Sequence, residues 1–244
     1  MDNVSAAKQL INCLDLTSLS DKDTQYSIAD LCRRAQTPYG NTAAVCVYSR
    51  FAAHAKTELA GTGIKTATVV NFPHGTHSAK KIYSELEQAL SAGADEIDAV
   101  FPYKEFLAGN YNACAVILKT VINACRGKTT KIILETGELK AAARIREATL
   151  MTALAGADFI KTSTGKTKIS ATHEAANIIL ETIKEEKFSC GFKASGGIKT
   201  VFDAKQYLIL AQTIMGASWP DAAKFRIGAS SLLDDILKTI NQGY

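Results

Sequence analysis

Asp158-Phe159-Ile160-Lys161-Thr162-Ser163-Thr164-Gly165-Lys166 sets a lysine in the middle of a short apolar run that opens into a turn of small residues. Gly191-Phe192-Lys193-Ala194-Ser195-Gly196-Gly197 repeats the arrangement, with its lysine 32 residues after Lys161. Burying an unpaired ammonium is costly, so a lysine inside a buried strand needs a reason to be there. Two lysines held close in a dry site have a well-known use: one gives up its proton and attacks a carbonyl to form a Schiff base.

Outward from these two runs, short apolar segments alternate with amphipathic ones along the whole chain. The pattern predicts strands at 12–16, 44–48, 67–72, 96–101, 131–135, 159–162, 191–194 and 225–227. Helices are predicted at 24–35, 50–59, 78–92, 111–125, 139–154, 173–185, 201–215 and 231–240. Ala92-Gly93-Ala94-Asp95 and Ala155-Gly156-Ala157-Asp158 each close a helix, with glycine supplying the left-handed turn. Thr172 and Thr200 are set to cap the helices they precede. Eight strand–helix repeats with short connections predict a parallel sheet, and at this length units of such similar size favour closure into a single α/β TIM barrel, (β/α)8, over an open doubly wound sheet. No linker or shift in composition divides the chain, so residues 1–244 read as one catalytic domain with a short tail at 241–244.

Composition narrows the partners. A net charge of +4 suits an anionic small molecule, and the absence of a dense Lys/Arg stripe speaks against nucleic acid. The longest apolar candidate, 113–124, is too short to span a membrane and is broken by Lys119. Cys13, Cys32, Cys46, Cys114, Cys125 and Cys190 form no CxxC pair, which points to reduced thiols. With an N-terminus unlike a signal peptide, this predicts a cytoplasmic protein. His74 and His77 lie on a loop with Pro73 and Gly75, and Glu135, Glu138 and Asp95 fall on different strands or at a strand start. No metal site is expected from these residues.

Chemistry in such a barrel belongs at the C-terminal ends of the strands, over an interior expected to be apolar. Side chains alternate along a strand, so Phe159, Lys161 and Ser163 share one face. Lys161 and Lys193, on neighbouring strands, then project into one volume that Asp98 can reach from two strands away. Three glycine turns follow the last three strands: Ser163-Thr164-Gly165-Lys166, Ser195-Gly196-Gly197-Ile198 and Ile227-Gly228-Ala229-Ser230-Ser231. Glycine lets backbone N–H groups approach an anion, and a following helix adds its dipole, so a phosphorylated substrate is expected there, with Lys166 as countercharge. A metal-dependent aldolase or a phosphosugar isomerase on the same barrel is the alternative from another enzyme class. A non-catalytic sugar-phosphate binder is a third reading, against which the paired lysines speak.

The runs around Lys161 and Lys193 resemble those of the deoxyribose-phosphate aldolases. So do Asn41-Thr42-Ala43-Ala44-Val45-Cys46-Val47-Tyr48, Asn71-Phe72-Pro73-His74-Gly75, Gly93-Ala94-Asp95-Glu96-Ile97-Asp98, Glu135-Thr136-Gly137-Glu138-Leu139 and Phe225-Arg226-Ile227-Gly228-Ala229-Ser230-Ser231. The resemblance covers essentially the whole chain. It implies a class I aldolase that works without a metal or organic cofactor, on 2-deoxy-D-ribose 5-phosphate, with acetaldehyde and D-glyceraldehyde 3-phosphate as products. Lys161 matches the Schiff-base lysine, Lys193 the second lysine and Asp98 the aspartate of the proton relay. Thr164, Gly165, Lys166, Gly196, Gly197, Gly228, Ser230 and Ser231 fall on the phosphate region, and Asp15 and Cys46 on further pocket positions. Tyr244 matches a terminal tyrosine that assists proton transfer, although the tail is short. Ala194 stands where proline is usual, which is expected to loosen the turn carrying Lys193. A homodimer is consistent with the resemblance.

Overall fold

The computed structural model describes residues 1–243. Eight parallel strands close on themselves: β1 (Leu14–Ser18), β2 (Ala44–Val47), β3 (Lys65–Val70), β4 (Glu96–Val100), β5 (Thr129–Ile133), β6 (Phe159–Lys161), β7 (Gly191–Ser195) and β8 (Phe225–Ala229). Strands adjacent in sequence are adjacent in space, and β1 completes the ring by pairing with both β2 and β8. The architecture is a single (β/α)8 barrel.

Local signals account for much of the framing. The aspartates that follow the helix-ending glycines fix strand entry. Asp95 Oδ2 accepts the Thr66 N–H at 3.0 Å, and Asp158 Oδ2 accepts the Thr130 N–H at 2.8 Å. Gly93 and Gly156 reach φ of 84° and 96°, where a side chain is disfavoured. Thr172 and Thr200 cap the helices His173–Glu185 and Val201–Met215, and Thr200 forms a reciprocal capping box with Asp203. Four short elements depart from the sequence expectation: the helices Asn3–Asn12, Tyr103–Leu107 and Thr136–Leu139, and a ribbon of Gln36–Thr37 with Gly40–Asn41. The helix Asn3–Asn12 buries Ala6, Ala7, Leu10 and Ile11.

The main core lies between the strands and the helical layer, where Val45, Ile97, Ile132, Ile160, Phe192 and Ile227 turn outward. The interior of the barrel is split. Ala44, Cys46, Ala67 and Val69 make a small apolar cluster of their own on β2 and β3. The rest departs from the apolar lining expected of the fold, because Asp15, Glu96, Asp98, Lys131, Lys161, Lys193 and Arg226 are all buried. Ion pairing across the barrel compensates them. β7 runs on past Ala194 through Ser195, whose N–H donates to Thr162 Oγ1 at 3.1 Å.

Candidate active site

Asp98, on β4, is the hub of the buried charges. Its Oδ1 accepts from Lys131 Nζ at 2.8 Å, and its Oδ2 accepts from both Lys161 Nζ at 2.7 Å and Lys193 Nζ at 2.8 Å. The two lysines singled out by sequence therefore lie no further apart than two hydrogen bonds laid end to end. Lys193 also donates to Asp15 Oδ2. Asp15 Oδ1 accepts from Arg226 Nη1 at 2.6 Å, and Arg226 Nη2 reaches Glu96 Oε1 at 2.9 Å. Glu96 Oε2 closes the circuit at 2.5 Å from Lys131 Nζ. Register explains the convergence: Lys161 pairs with Lys193 across β6 and β7, Lys193 with Arg226 across β7 and β8, and Asp98 with Lys131 across β4 and β5.

Four cations meet three anions, so the network carries one surplus positive charge when every member is ionised. Burial works against each charge, and the partners decide the outcome. For Lys131, Asp98, Glu96 and Asp15 override burial and hold the ammonium above its ordinary range. Asp15 and Asp98 do the same for Lys193. Lys161 behaves differently: burial outweighs its one ion-pair partner, Asp98, and the Lys193 charge adds to the push, so its proton is held less tightly than usual. Asp98 stays ionised far into acid, since three lysines overcome its burial. Asp15 is also held below the carboxylate range, by Lys193, Arg226 and Lys131. Cys46 stands beside this cluster as a neutral wall, its thiol pushed up to about 11 by burial.

A cavity of about 200 Å³ opens beyond the ends of β6, β7 and β8. Thr164, Gly165, Lys166, Gly196, Gly197, Gly228, Ser230 and Ser231, the residues expected around a phosphate, all line it. The helix Leu232–Gln242 starts at its edge. Two glycines are required by packing. A Cβ on Gly196, at φ 89°, would lie 2.6 Å from Ser170 Cβ, and one on Gly228 would lie 2.9 Å from Lys193 Cε. A larger cavity of about 590 Å³ sits at the opposite mouth and meets the network only through Glu96 and Arg226.

Sequence reasoning passed over Lys131, Glu96 and Arg226 as members of the cluster. It also left Glu135 without a role. Glu135, in the left-handed region at φ 56°, accepts from Thr164 Oγ1 at 2.5 Å and from Thr167 Oγ1 at 3.2 Å. It thereby anchors the loop that joins Lys161 to the glycine-lined cavity. Tyr244 lies outside the described residues.

The closed barrel thus gathers three lysines around one carboxylate, with a small glycine-lined cavity at the same strand ends. The DeoC/LacD family aldolase model matches residues 9–238, and the chain belongs to that family. A curated deoxyribose-phosphate aldolase of Agrobacterium fabrum (strain C58 / ATCC 33970) is 48% identical over 240 residues, covering 98% of this chain and 93% of that protein. A crystal structure from Coccidioides immitis, provisionally described as a deoxyribose-phosphate aldolase, shares 30% identity and a TM-score of 0.85 over 98% of this chain and 87% of that one. The tetrameric deoxyribose phosphate aldolase of Aeropyrum pernix matches at 25% identity and TM-score 0.79, over 100% and 98% of the two chains.

Proposed function

We propose that the chain is a lyase that cleaves 2-deoxy-D-ribose 5-phosphate reversibly to acetaldehyde and D-glyceraldehyde 3-phosphate, through a Schiff base on Lys161. One observation carries the assignment of Lys161. Among the three network lysines it alone has its ammonium disfavoured, and it alone retains any exposure, 3% against 0% for Lys131 and Lys193. Family membership and the Agrobacterium relative support the reaction.

An ordinary lysine, with a pKa near 10.4, offers only about one neutral amine in a few thousand at pH 7. Each unit by which burial and Lys193 lower that value multiplies the neutral fraction roughly tenfold, worth about 1.4 kcal/mol. The Lys161 nitrogen attacks C1 of the open-chain aldehyde, and loss of water leaves the protonated imine. Asp98, acting through a water, takes the C3 hydroxyl proton. The C2–C3 bonding pair moves into the imine, glyceraldehyde 3-phosphate departs, and an enamine remains on Lys161. Protonation at C2 and hydrolysis release acetaldehyde and restore the amine. Lys193 stays charged through its two carboxylates, acting as the fixed cation beside the reacting nitrogen. The glycine-lined cavity holds the phosphate by backbone N–H groups, Ser230, Ser231 and the helix dipole. That grip positions the sugar remote from the bond that breaks.

The reading extends to setting. Six buried thiols suit a reducing compartment, and we place the enzyme in the cytoplasm. No described helix is long and apolar enough to cross a membrane. Tyr83 and Val116, half exposed on the packed helices Ala79–Ser91 and Tyr111–Ala124, are consistent with a homodimer. Sedimentation velocity reads that directly. The reaction is tested by turnover of deoxyribose phosphate and by borohydride trapping with acetaldehyde. A two-carbon adduct is expected on Lys161 by peptide mass spectrometry. Turnover with no adduct there removes Lys161 from its role.

A further inference from the structure

The reaction needs one amine of the network to go without its proton, and the composition of the barrel interior decides which. The ionisable groups around Lys161 are Asp15 on β1, Cys46 on β2, Glu96 and Asp98 on β4, Lys131 on β5, Glu135 just past β5, Lys193 on β7 and Arg226 on β8. The interior of β3 adds only apolar groups, Ala67 and Val69. Cys46 is uncharged, and Glu135, whose charged form burial disfavours, is turned to Thr164 and Thr167. The remaining six groups and Lys161 itself form the buried circuit. Loss of one proton brings that circuit to neutrality, and loss of a second would leave it negative. Lys131 pairs with Asp15, Glu96 and Asp98, Lys193 with Asp15 and Asp98, and Arg226 with Asp15 and Glu96, whereas Lys161 pairs with Asp98 alone.

We propose that Arg226 and Glu96, at the mouth of the barrel opposite the phosphate cavity, are positioning residues for the reaction: their opposite charges balance within the barrel interior and commit Asp15 and Lys131, so that Lys161 is the one cation left with a single carboxylate partner. The inference rests on the Schiff-base reading of Lys161 and extends it to two residues that touch neither Lys161 nor the glycine-lined cavity. Arg226 occupies Asp15 Oδ1, which leaves Oδ2 for Lys193. Glu96 draws Lys131 onto Asp98 Oδ1, which leaves Oδ2 for Lys161 and Lys193. Arg226 is itself fixed, with Nε donating to the Ala222 carbonyl at 2.5 Å and its guanidinium 5.5 Å from the Phe159 ring centre. Its influence on Lys161 therefore runs through charge rather than contact. Arg226 stands in register with Lys193, and Lys193 with Lys161. Two strand spacings, about 10 Å, separate Arg226 from Lys161. At an effective dielectric near 20, one unit charge at that distance moves a titration midpoint by about one pH unit.

A purely structural salt bridge and an electrostatic one give different results when either half is removed. Structural damage impairs activity in the same direction for both variants. A charge effect moves the two in opposite directions. The experiment uses the full chain with acetaldehyde and sodium cyanoborohydride, following adduct formation on Lys161 by peptide mass spectrometry from pH 5.5 to 9. Glu96→Gln makes the interior more positive and is expected to lower the midpoint by up to about one pH unit, with reaction up to roughly tenfold faster on the acid side. Arg226→Met makes it more negative and is expected to raise the midpoint by a similar amount. The double variant restores the original sum and is expected to return the midpoint. Arg226→Lys keeps the charge and must leave the midpoint in place, so it and Glu96→Gln decide the matter where Arg226→Met does not fold. Midpoints that stay put, or that move in one direction for both single variants, overturn the inference alone. Absence of any adduct on Lys161 in the unaltered chain overturns the Schiff-base reading, and this inference with it.

Discussion

Replacing Lys193 by Met removes a positive charge while keeping the volume and the apolar stem of the side chain. In the unaltered chain, Lys161 and Lys193 donate to one oxygen of Asp98, so their ammonium groups lie roughly 5 Å apart. At an effective dielectric near 20, two unit charges at that distance repel by about 3 kcal/mol, equivalent to roughly two pH units. The repulsion is felt only when Lys161 is protonated, so Lys193 lowers the Lys161 value. Without Lys193, the acid limb of kcat/KM for deoxyribose phosphate cleavage should move up by about two pH units. At pH 7 the rate should fall by about a hundredfold from ionisation alone, and it should recover in part toward pH 9. The assay is initial-rate kinetics from pH 6 to 10 with the aldehyde product coupled to a reductase. Uniform slowing with the limb unmoved would refute the electrostatic role of Lys193 and leave it only a contact role.

Asp98→Asn leaves three buried lysines short of a partner, and breaking a buried pair costs about 3–5 kcal/mol. In a chain of this size the Tm should fall on the order of 10 °C, and a calorimetric Tm within a degree or two of the parent would contradict that. Lys161→Met should abolish turnover without lowering the Tm at pH 7. Its folded pKa lies below the unfolded one, so the ammonium costs stability below the folded value, and the cost fades as pH rises through the unfolded value near 10.4. A Tm loss as large as that of Asp98→Asn would count against this. Asp15 and Asp98 have depressed folded values, so their contribution is complete well above the unfolded aspartate value near 3.9 and is lost as pH falls from about 5 through their folded values. Urea midpoints between pH 7 and 3 should therefore hold down to about pH 5 and then decline, less steeply in Asp98→Asn. Gly228→Ala drives a methyl group to 2.8 Å from Ser195 Oγ and 2.9 Å from Lys193 Cε. It should lower kcat/KM by about a hundredfold through displacement of Lys193, with KM for acetaldehyde in the synthetic direction changed less.

The barrel was legible because its eight strands recur with helices between them and glycine–aspartate junctions at two of the entries. The lysines of the site were legible because an ammonium in the middle of an apolar run stands out. That same signal was present in Phe225-Arg226-Ile227 and in Thr130-Lys131-Ile132-Ile133, and Glu96 shares the face of Asp98 at a spacing of two. Lys131 escaped because the expected strand began on it, which makes a lysine look like a solvated strand end. The true strand begins at Thr129 and carries Lys131 inside. Which cation meets which carboxylate depends on register around the closed ring, and no local pattern encodes it. The helix Asn3–Asn12 had a signal in Asp2, whose side chain accepts the Ser5 N–H, and in the spacing of Ala6, Ala7, Leu10 and Ile11. The two-residue strands of the ribbon at 36–41 are too short for alternation to register.

The most direct measurement follows the individual amines as they titrate. Lysine labelled with ¹³C at Cε and ¹⁵N at Nζ, assigned by single substitution to Met, reports each protonation state by NMR without substrate or turnover. The account predicts that Lys161 becomes neutral first, at a pH below that of an ordinary lysine, while Lys131 and Lys193 keep their protons beyond it. An ordinary or elevated value for Lys161, or loss of the first proton from Lys193, would contradict it.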